Sequence, residues 1–133
     1  MIWRIVLYSF LFLSLCWSYA FPHDHVHPEL NLWFRSLHSS GGSWCCDGSE
    51  ALHLRDVDWE TQNLERSHYR VKIPKNSEAY DRAMMGEEVE TIWVDVPDTS
   101  VITEPNKDGS TLVWPTYGTI GTTVRCFLPS ALG

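Results

Sequence analysis

Basic residues are scarce in this chain. Ten Lys and Arg stand against 17 Asp and Glu among 133 residues, and the formal net charge is −7 at neutral pH. A protein that binds nucleic-acid phosphates or anionic lipids needs the opposite charge. The composition therefore excludes nucleic acid as a partner and predicts an acidic domain that does not bind anionic membranes.

Long apolar runs are absent after the first twenty residues, so no later segment is long enough to cross a membrane. The leading stretch has one positive charge at Arg4, then an almost unbroken apolar core, and small residues at Ser18 and Ala20. These features are typical of a secretory signal peptide over 1–20, with cleavage before Phe21. An uncleaved membrane anchor stays open as the alternative. We expect export to the periplasm or the extracellular space, without membrane insertion after cleavage.

Cysteine is also rare, with four in all, and Cys16 belongs to the leader. Cys45, Cys46 and Cys126 remain, which permits at most one internal disulfide and leaves a spare thiol in an oxidising compartment. Adjacent cysteines have Cα atoms about 3.8 Å apart, less than a disulfide usually spans. We therefore predict a disulfide from Cys126 to Cys46 or Cys45, and the sequence does not decide between the two. The bond would close a loop of about 80 residues and stabilise the fold by roughly 4–4.5 kcal/mol.

A C-x-x-C motif and other nucleophile signatures are absent around the adjacent cysteines. A cysteine-dependent enzyme would need a base close to the thiol, and His53 and His68 are the candidates. Because no local pattern supports that chemistry, we rank an enzyme behind a non-enzymatic binding or structural module, and we assign no catalytic residue.

Histidines are concentrated in a short arm over 21–27 that precedes the expected domain. His23, His25 and His27 alternate, so an extended arm would place three imidazoles on one face, which suits zinc or copper. Metal binding by this arm is the alternative function, and no other cofactor is expected. The carboxylates of the stretch 56–60 also alternate, but they lack the spacing of an EF-hand calcium loop.

Residues 28–133 have the pattern of a single α+β domain. Leu30, Trp33, Phe34 and Leu37 recur with the i, i+3, i+4, i+7 spacing of an amphipathic helix, and Gly41 suits its exit. After the cysteine pair the apolar period changes from 3.6 to 2, which indicates strands. Five segments follow this pattern: ALHLRD, HYRVKIP, TIWVDVP, STLVWP and TTVRCFLP.

These elements predict an N-terminal helix packed on a small, mostly antiparallel sheet of about five strands, with a barrel-like curl as its alternative form. In the last strand we expect Val124, Cys126 and Leu128 to share the buried face. We also expect prolines such as Pro115 to end strands. A short helix is predicted in SEAYDRAMMG, with Ser77 as its cap.

Trp93 lies on the opposite side of its predicted strand from the aliphatic residues that flank it. Either a helix covers this side, which base rates favour, or Trp93 is exposed beside Asp95. Exposed, the two residues form a candidate binding surface on which a saccharide or an envelope protein could dock. We expect a monomer.

Several segments together carry a resemblance. The segments that carry this resemblance are HDH…PELNLWF.SL…CCDG, YRVKI, WVDVPD…ITEPN..G.TLVWP and VRCFLP. The chain resembles a group of small exported proteins of Gram-negative alphaproteobacteria that have no assigned activity. The resemblance covers nearly all of the chain after the leader. It implies export to the periplasm and supplies no catalytic residues. More distant members have a fourth cysteine where this chain has Ala51, so a two-disulfide framework is not implied.

Overall fold

Two small antiparallel sheets and two short helices make up the fold. The structure is a computed structural model, and it describes residues 28–45 and 48–130. The helices are α1 (Asn31–Ser36), which follows a 3-10 turn at Pro28–Leu30, and α2 (Ser77–Met84). The strands are β1 (Leu52–Leu54), β2 (Trp59–Leu64), β3 (Ser67–Pro74), β4 (Thr91–Val96), β5 (Thr111–Gly118) and β6 (Gly121–Leu128).

The six strands form two separate three-stranded sheets, with the orders β1-β5-β6 and β2-β3-β4. The mixed helix-and-strand class was predicted correctly, but the single sheet of about five strands was not. Within the described ranges no barrel is closed. The extra strand is β2, whose central residues are all polar, so the sequence carries no period-two apolar signal there. Pairing with β3 creates this strand, through contacts such as Glu60 opposite Arg70.

The first core cluster lies between α1 and one face of the β1-β5-β6 sheet. The buried side chains of Trp33, Phe34 and Leu37 pack there, and Leu30 lies partly buried against them. The four residues pack together as their spacing predicted, although only Trp33 and Phe34 lie within the helix. The helix itself is shorter than predicted. It ends at Ser36, because Leu37 is extended and the chain then turns back as a hairpin.

The other face of the same sheet packs against β2-β3-β4. Val113 and Phe127 from the first sheet meet Val71, Ile73 and Val96 from the second in a cluster that excludes water. The β1-β5-β6 sheet is therefore the middle layer of three. This position explains why Thr111–Trp114 of β5 is a run of buried residues with no alternation, since both faces of the strand are covered.

A bulge in β6 changes which residues face each layer. Trp114 lies opposite Cys126 but Pro115 lies opposite Val124, so Arg125 is the extra residue of a bulge in β6. Val124 consequently faces the second sheet, whereas Cys126 and Leu128 face α1. Two expectations were thus wrong: Val124 does not share a face with Cys126, and Pro115 does not end its strand.

A disulfide joins Cys45 to Cys126, with Cα atoms 5.6 Å apart. It connects the hairpin that follows α1 to β6, and both cysteines are fully buried. The separation of 81 residues makes the cross-link worth roughly 4–4.5 kcal/mol by chain entropy. For a domain of this size that is a large share of the total stability.

Helix α2 connects the end of β3 to the second sheet's last strand. Its cap is Asn76, whose side-chain oxygen accepts a hydrogen bond from the Ala79 amide at 2.8 Å, and not the predicted Ser77. Ala79 is the buried residue of the helix, and Tyr80 beside it is half-buried. Neither helix in the described part of the chain is long and apolar enough to cross a membrane.

Close packing of α1 on the loop before β1 gives a test of this layered arrangement. A Cβ at Gly48 would lie 2.6 Å from the Phe34 ring. We expect Gly48→Ala to destabilise the protein by about 1–3 kcal/mol, because the buried ring cannot retreat without disturbing the core. Gly118→Ala is the matched control, since nothing lies within 4 Å of its added methyl group. Urea unfolding measures both, and equal midpoints would contradict the packing described.

Candidate functional site

Three of the residues predicted to carry function lie outside the described part of the chain. His23, His25 and His27 precede residue 28, so metal binding by this arm stays a prediction. Across residues 28–45 and 48–130, no three His, Cys, Asp or Glu side chains are grouped so that they could hold a metal ion. Two of the carboxylates in the stretch 56–60 pair with arginines: Asp58 with Arg55 at 2.8 Å, and Glu60 with Arg70.

The histidines considered as bases for a cysteine nucleophile pair with aspartates. His68 Nδ1 lies 2.8 Å from an oxygen of Asp98, and His53 Nδ1 lies 3.8 Å from Asp108. Cys45 and Cys126 share a disulfide and hold no thiol. Cys46 lies outside the described residues. Within residues 28–45 and 48–130, therefore, no free thiol lies beside a histidine, and a pair that involves Cys46 stays a prediction.

Trp93 and Asp95 lie on the outer face of the β2-β3-β4 sheet, and neither helix of the described residues covers Trp93. It is 40% exposed, and the guanidinium of Arg70 stacks on it, 4.5 Å from the ring centre. Asp95 accepts a hydrogen bond from Gln62 at 2.9 Å. Because Arg70 also pairs with Glu60, these side chains form a polar ladder across three strands. One ring face of Trp93 is occupied by Arg70, which reduces the surface available for stacking on a ligand.

A pocket of about 340 Å³ opens beside β5 in the β1-β5-β6 sheet. Four consecutive residues of β5 line it, Trp114–Tyr117, together with Cys45, Glu50, Tyr80 and Arg125. The volume is at the small end of the range for ligand pockets. Neither the pocket nor its aromatic wall was predicted from the sequence.

The bulge in β6 brings a charged residue to this pocket. Arg125 would lie on the same strand face as Phe127 in a regular strand, and that face is buried against the second sheet. The extra residue frees Arg125 from this alternation and places it in the pocket wall instead. An arginine two positions before a buried phenylalanine, together with a proline inside the neighbouring strand, is the sequence signal from which the bulge could have been found.

The two tyrosines of the pocket are held by hydrogen bonds to backbone carbonyls. Tyr80 Oη donates to the carbonyl of Glu50 at 2.7 Å, and Tyr117 Oη donates to the carbonyl of Pro74 at 2.8 Å. Their rings contact each other with centres 5.9 Å apart and planes tilted by 53°. Tyr80 thereby connects α2 to the loop before β1, across one side of the pocket.

Burial is the main cause of the shifted pKa values of the two tyrosines in this pocket. It raises the pKa of Tyr117 above the ordinary value, and the adjacent Tyr80 adds to the effect. Burial also raises the pKa of Tyr80, with further contributions from the negative charges of Glu50 and Asp81. Both phenols are therefore neutral hydrogen-bond donors at physiological pH, and each keeps lone pairs that can accept a hydrogen bond.

The disulfide forms part of the same pocket. Cys45 contributes to the lining, and Cys126 lies directly opposite Trp114 in the β5–β6 register. The cross-link thus fixes the hairpin after α1 against the strand that supplies the aromatic wall. The arrangement offers rings, hydroxyls, one cation and one anion, which are groups suited to holding a ligand.

Comparison with known proteins yields no relative. No protein-family model matches the chain, and neither the curated proteins nor the solved structures contain a match.

The raised pKa values of Tyr80 and Tyr117 predict that the folded protein loses stability in alkaline solution. The unfolded chain ionises its phenols near pH 10, whereas the folded state keeps Tyr80 and Tyr117 protonated to higher pH. Their contribution is complete below about pH 10 and is lost as the pH rises toward the folded-state pKa. We expect the free energy of unfolding to fall above about pH 10.

Urea titrations at a series of alkaline pH values measure this fall, and absorbance near 295 nm follows the tyrosinate. Tyr117→Phe should be less stable at neutral pH, since it loses the bond to Pro74, but its stability should decline less steeply in alkali. A wild-type slope equal to that of Tyr117→Phe would show that the phenol is not shielded in the folded protein.

Proposed function

We propose that this protein is an exported, disulfide-stabilised binding domain with no catalytic activity, and that the pocket beside Cys45 is its ligand site. The observation that carries the proposal is the construction of that pocket. The pocket has a volume of about 340 Å³ and is lined by residues of β5, β6, α2 and the loop before β1. These residues contribute aromatic rings, hydroxyls and two opposite charges. Pockets with an apolar wall and a few convergent polar groups are the usual small-ligand sites of proteins.

Export is supported by two independent features. The first twenty residues have the charge, apolar core and small terminal residues of a signal peptide. The Cys45–Cys126 disulfide suits an oxidising compartment such as the periplasm, since disulfides are rare in the cytosol. The acidic net charge favours a soluble protein and a ligand other than nucleic acid.

The pocket's size favours a small ligand over a protein surface. A stable protein–protein interface buries about 800 Å² on each partner, far more than a cavity of this volume presents. Of the partners expected from the sequence, a saccharide of one or two rings fits the space, and so does a short segment of an envelope protein. The outer face around Trp93 is the less favoured site, because Arg70 already stacks on that ring.

Ligand binding, measured before and after the pocket is blocked by a larger side chain, tests this proposal. We expect thermal melting of the exported protein to rise in the presence of at least one member of a panel of glucose, N-acetylglucosamine, L-phenylalanine and the dipeptide Ala-Phe. At a concentration ten times the Kd, binding adds about 1.4 kcal/mol of stability, which corresponds to a shift of several degrees. Thr116→Trp places an indole in the pocket wall and should abolish the shift.

Thr119→Trp is the matched control, since Thr119 is exposed in the turn between β5 and β6 and does not line the pocket. This variant should keep the wild-type response to the panel. An equal response from Thr116→Trp would place the ligand elsewhere, and the absence of any shift across the panel would count against a binding pocket.

A further inference from the structure

One wall of the pocket is the edge of a strand. Strand β1 pairs with β5 only from Thr111 to Val113, and the chain preceding β1 forms a 3-10 turn at Gly48–Glu50. The next residues of β5, Trp114–Tyr117, line the pocket one after another. Trp114 is buried, whereas Pro115, Thr116 and Tyr117 are partly exposed, and within the described ranges no strand pairs with β5 on this side at these three residues. An edge of this kind is a template for an extended peptide, which adds to the sheet as another strand.

The exposed edge accommodates only a short segment. The three partly exposed residues span about 10 Å, which matches a bound peptide of about two or three residues. Pro115 has no N–H group and therefore cannot extend a regular ladder along the whole edge. Tyr80 limits the edge on the α2 side, because it contacts Tyr117 and is tied to the Glu50 carbonyl.

Two opposite charges in the lining match the ends of such a peptide. Arg125 has five N–H donors in a planar fork, so it can hold a carboxylate while keeping other interactions. Glu50 lines the same pocket, is exposed, and supplies a carboxylate that accepts from an ammonium group. A neutral saccharide has no charged group to pair with Arg125 or Glu50. A free peptide has a carboxylate for Arg125 and an ammonium group for Glu50.

The aromatic wall provides for an apolar side chain. Tyr80 and Tyr117 are both half-buried, and their tilted rings present carbon surface to the pocket. Their hydroxyl protons are engaged by backbone carbonyls, so the rings are fixed before a ligand arrives. A preorganised aromatic surface binds an apolar group without an additional ordering cost.

We infer that the pocket binds a short zwitterionic peptide of about two or three residues, extended along the β5 edge from Pro115 to Tyr117, with its carboxylate at Arg125 and its ammonium at Glu50. This inference rests on the proposed function, because it names the ligand class of the same pocket. It adds a chemical requirement that a general binding site would not have: both charged ends of the ligand must be free.

Capped peptides separate this inference from simple pocket binding. We expect the dipeptide Ala-Phe to bind the exported protein in calorimetric titrations, and Ala-Phe amide and N-acetyl-Ala-Phe each to bind about ten- to a hundredfold more weakly, the loss expected for one charge-assisted hydrogen bond. Arg125→Gln should weaken Ala-Phe by a similar factor and leave almost no difference between Ala-Phe and its amide. Glu50→Gln should do the same for the acetylated peptide.

Lys107→Gln is the matched control, since it removes an exposed positive charge that does not line the pocket and should leave all three affinities unchanged. Equal binding of the free and capped peptides would overturn the inference. So would a uniform loss of affinity in Arg125→Gln that preserves the discrimination between acid and amide.

The two proposals fail in different ways. If only the saccharides bind, and Thr116→Trp abolishes their binding, the pocket is a ligand site and the peptide inference is wrong. If Ala-Phe binds equally to wild type and Thr116→Trp, the ligand lies outside the pocket and both proposals fall.

Discussion

The Cys45–Cys126 disulfide is the interaction on which the rest of the structure depends. The chain between α1 and β1 has little regular structure, yet it must cover the aromatic side of the middle sheet. The cross-link fixes that segment to β6 at the buried Cys126, which lies opposite Trp114 of β5. Without it, the covering layer would depend mainly on Trp33, Phe34 and Leu37, which is a small apolar contact for so short a helix. The pocket exists because this layer is held in place while leaving the β5 edge partly uncovered.

The bulge at Arg125 is the second constraint, and it relates the fold to the candidate site. A regular β6 would direct an arginine into the packed interface between the sheets, where an unpaired charge is costly. The extra residue keeps Val124 and Phe127 in that interface and gives Arg125 to the pocket. Pro115 on the neighbouring strand has no N–H to donate, so the irregularity occurs where the ladder is already weakened. Packing and ligand chemistry are thus satisfied by the same local distortion.

The elements that the sequence predicted well are those whose burial pattern follows a local period. The alternation of Val71 and Ile73 in β3 and the apolar face of α1 could be read directly. β2 could not, because it is a strand through pairing with β3 and not through its own apolar residues. The pocket escaped prediction for a related reason: its lining comes from β5, β6, α2 and a loop, and only the tertiary fold brings Tyr80 to Tyr117. The choice between Cys45 and Cys46 likewise depends on which side of the hairpin faces β6.

The most direct test of this account locates the disulfide chemically. Protein recovered after export is alkylated without reduction, digested, and sequenced by tandem mass spectrometry to find which cysteine carries the label. Because Cys45 and Cys126 are bonded in the structure, the label should be on Cys46 alone, and the cross-linked peptide should join Cys45 to Cys126. A label on Cys45 with Cys46 bonded to Cys126, or a bond between the two adjacent cysteines, would contradict it, since the wall of the pocket would then be held by a different anchor.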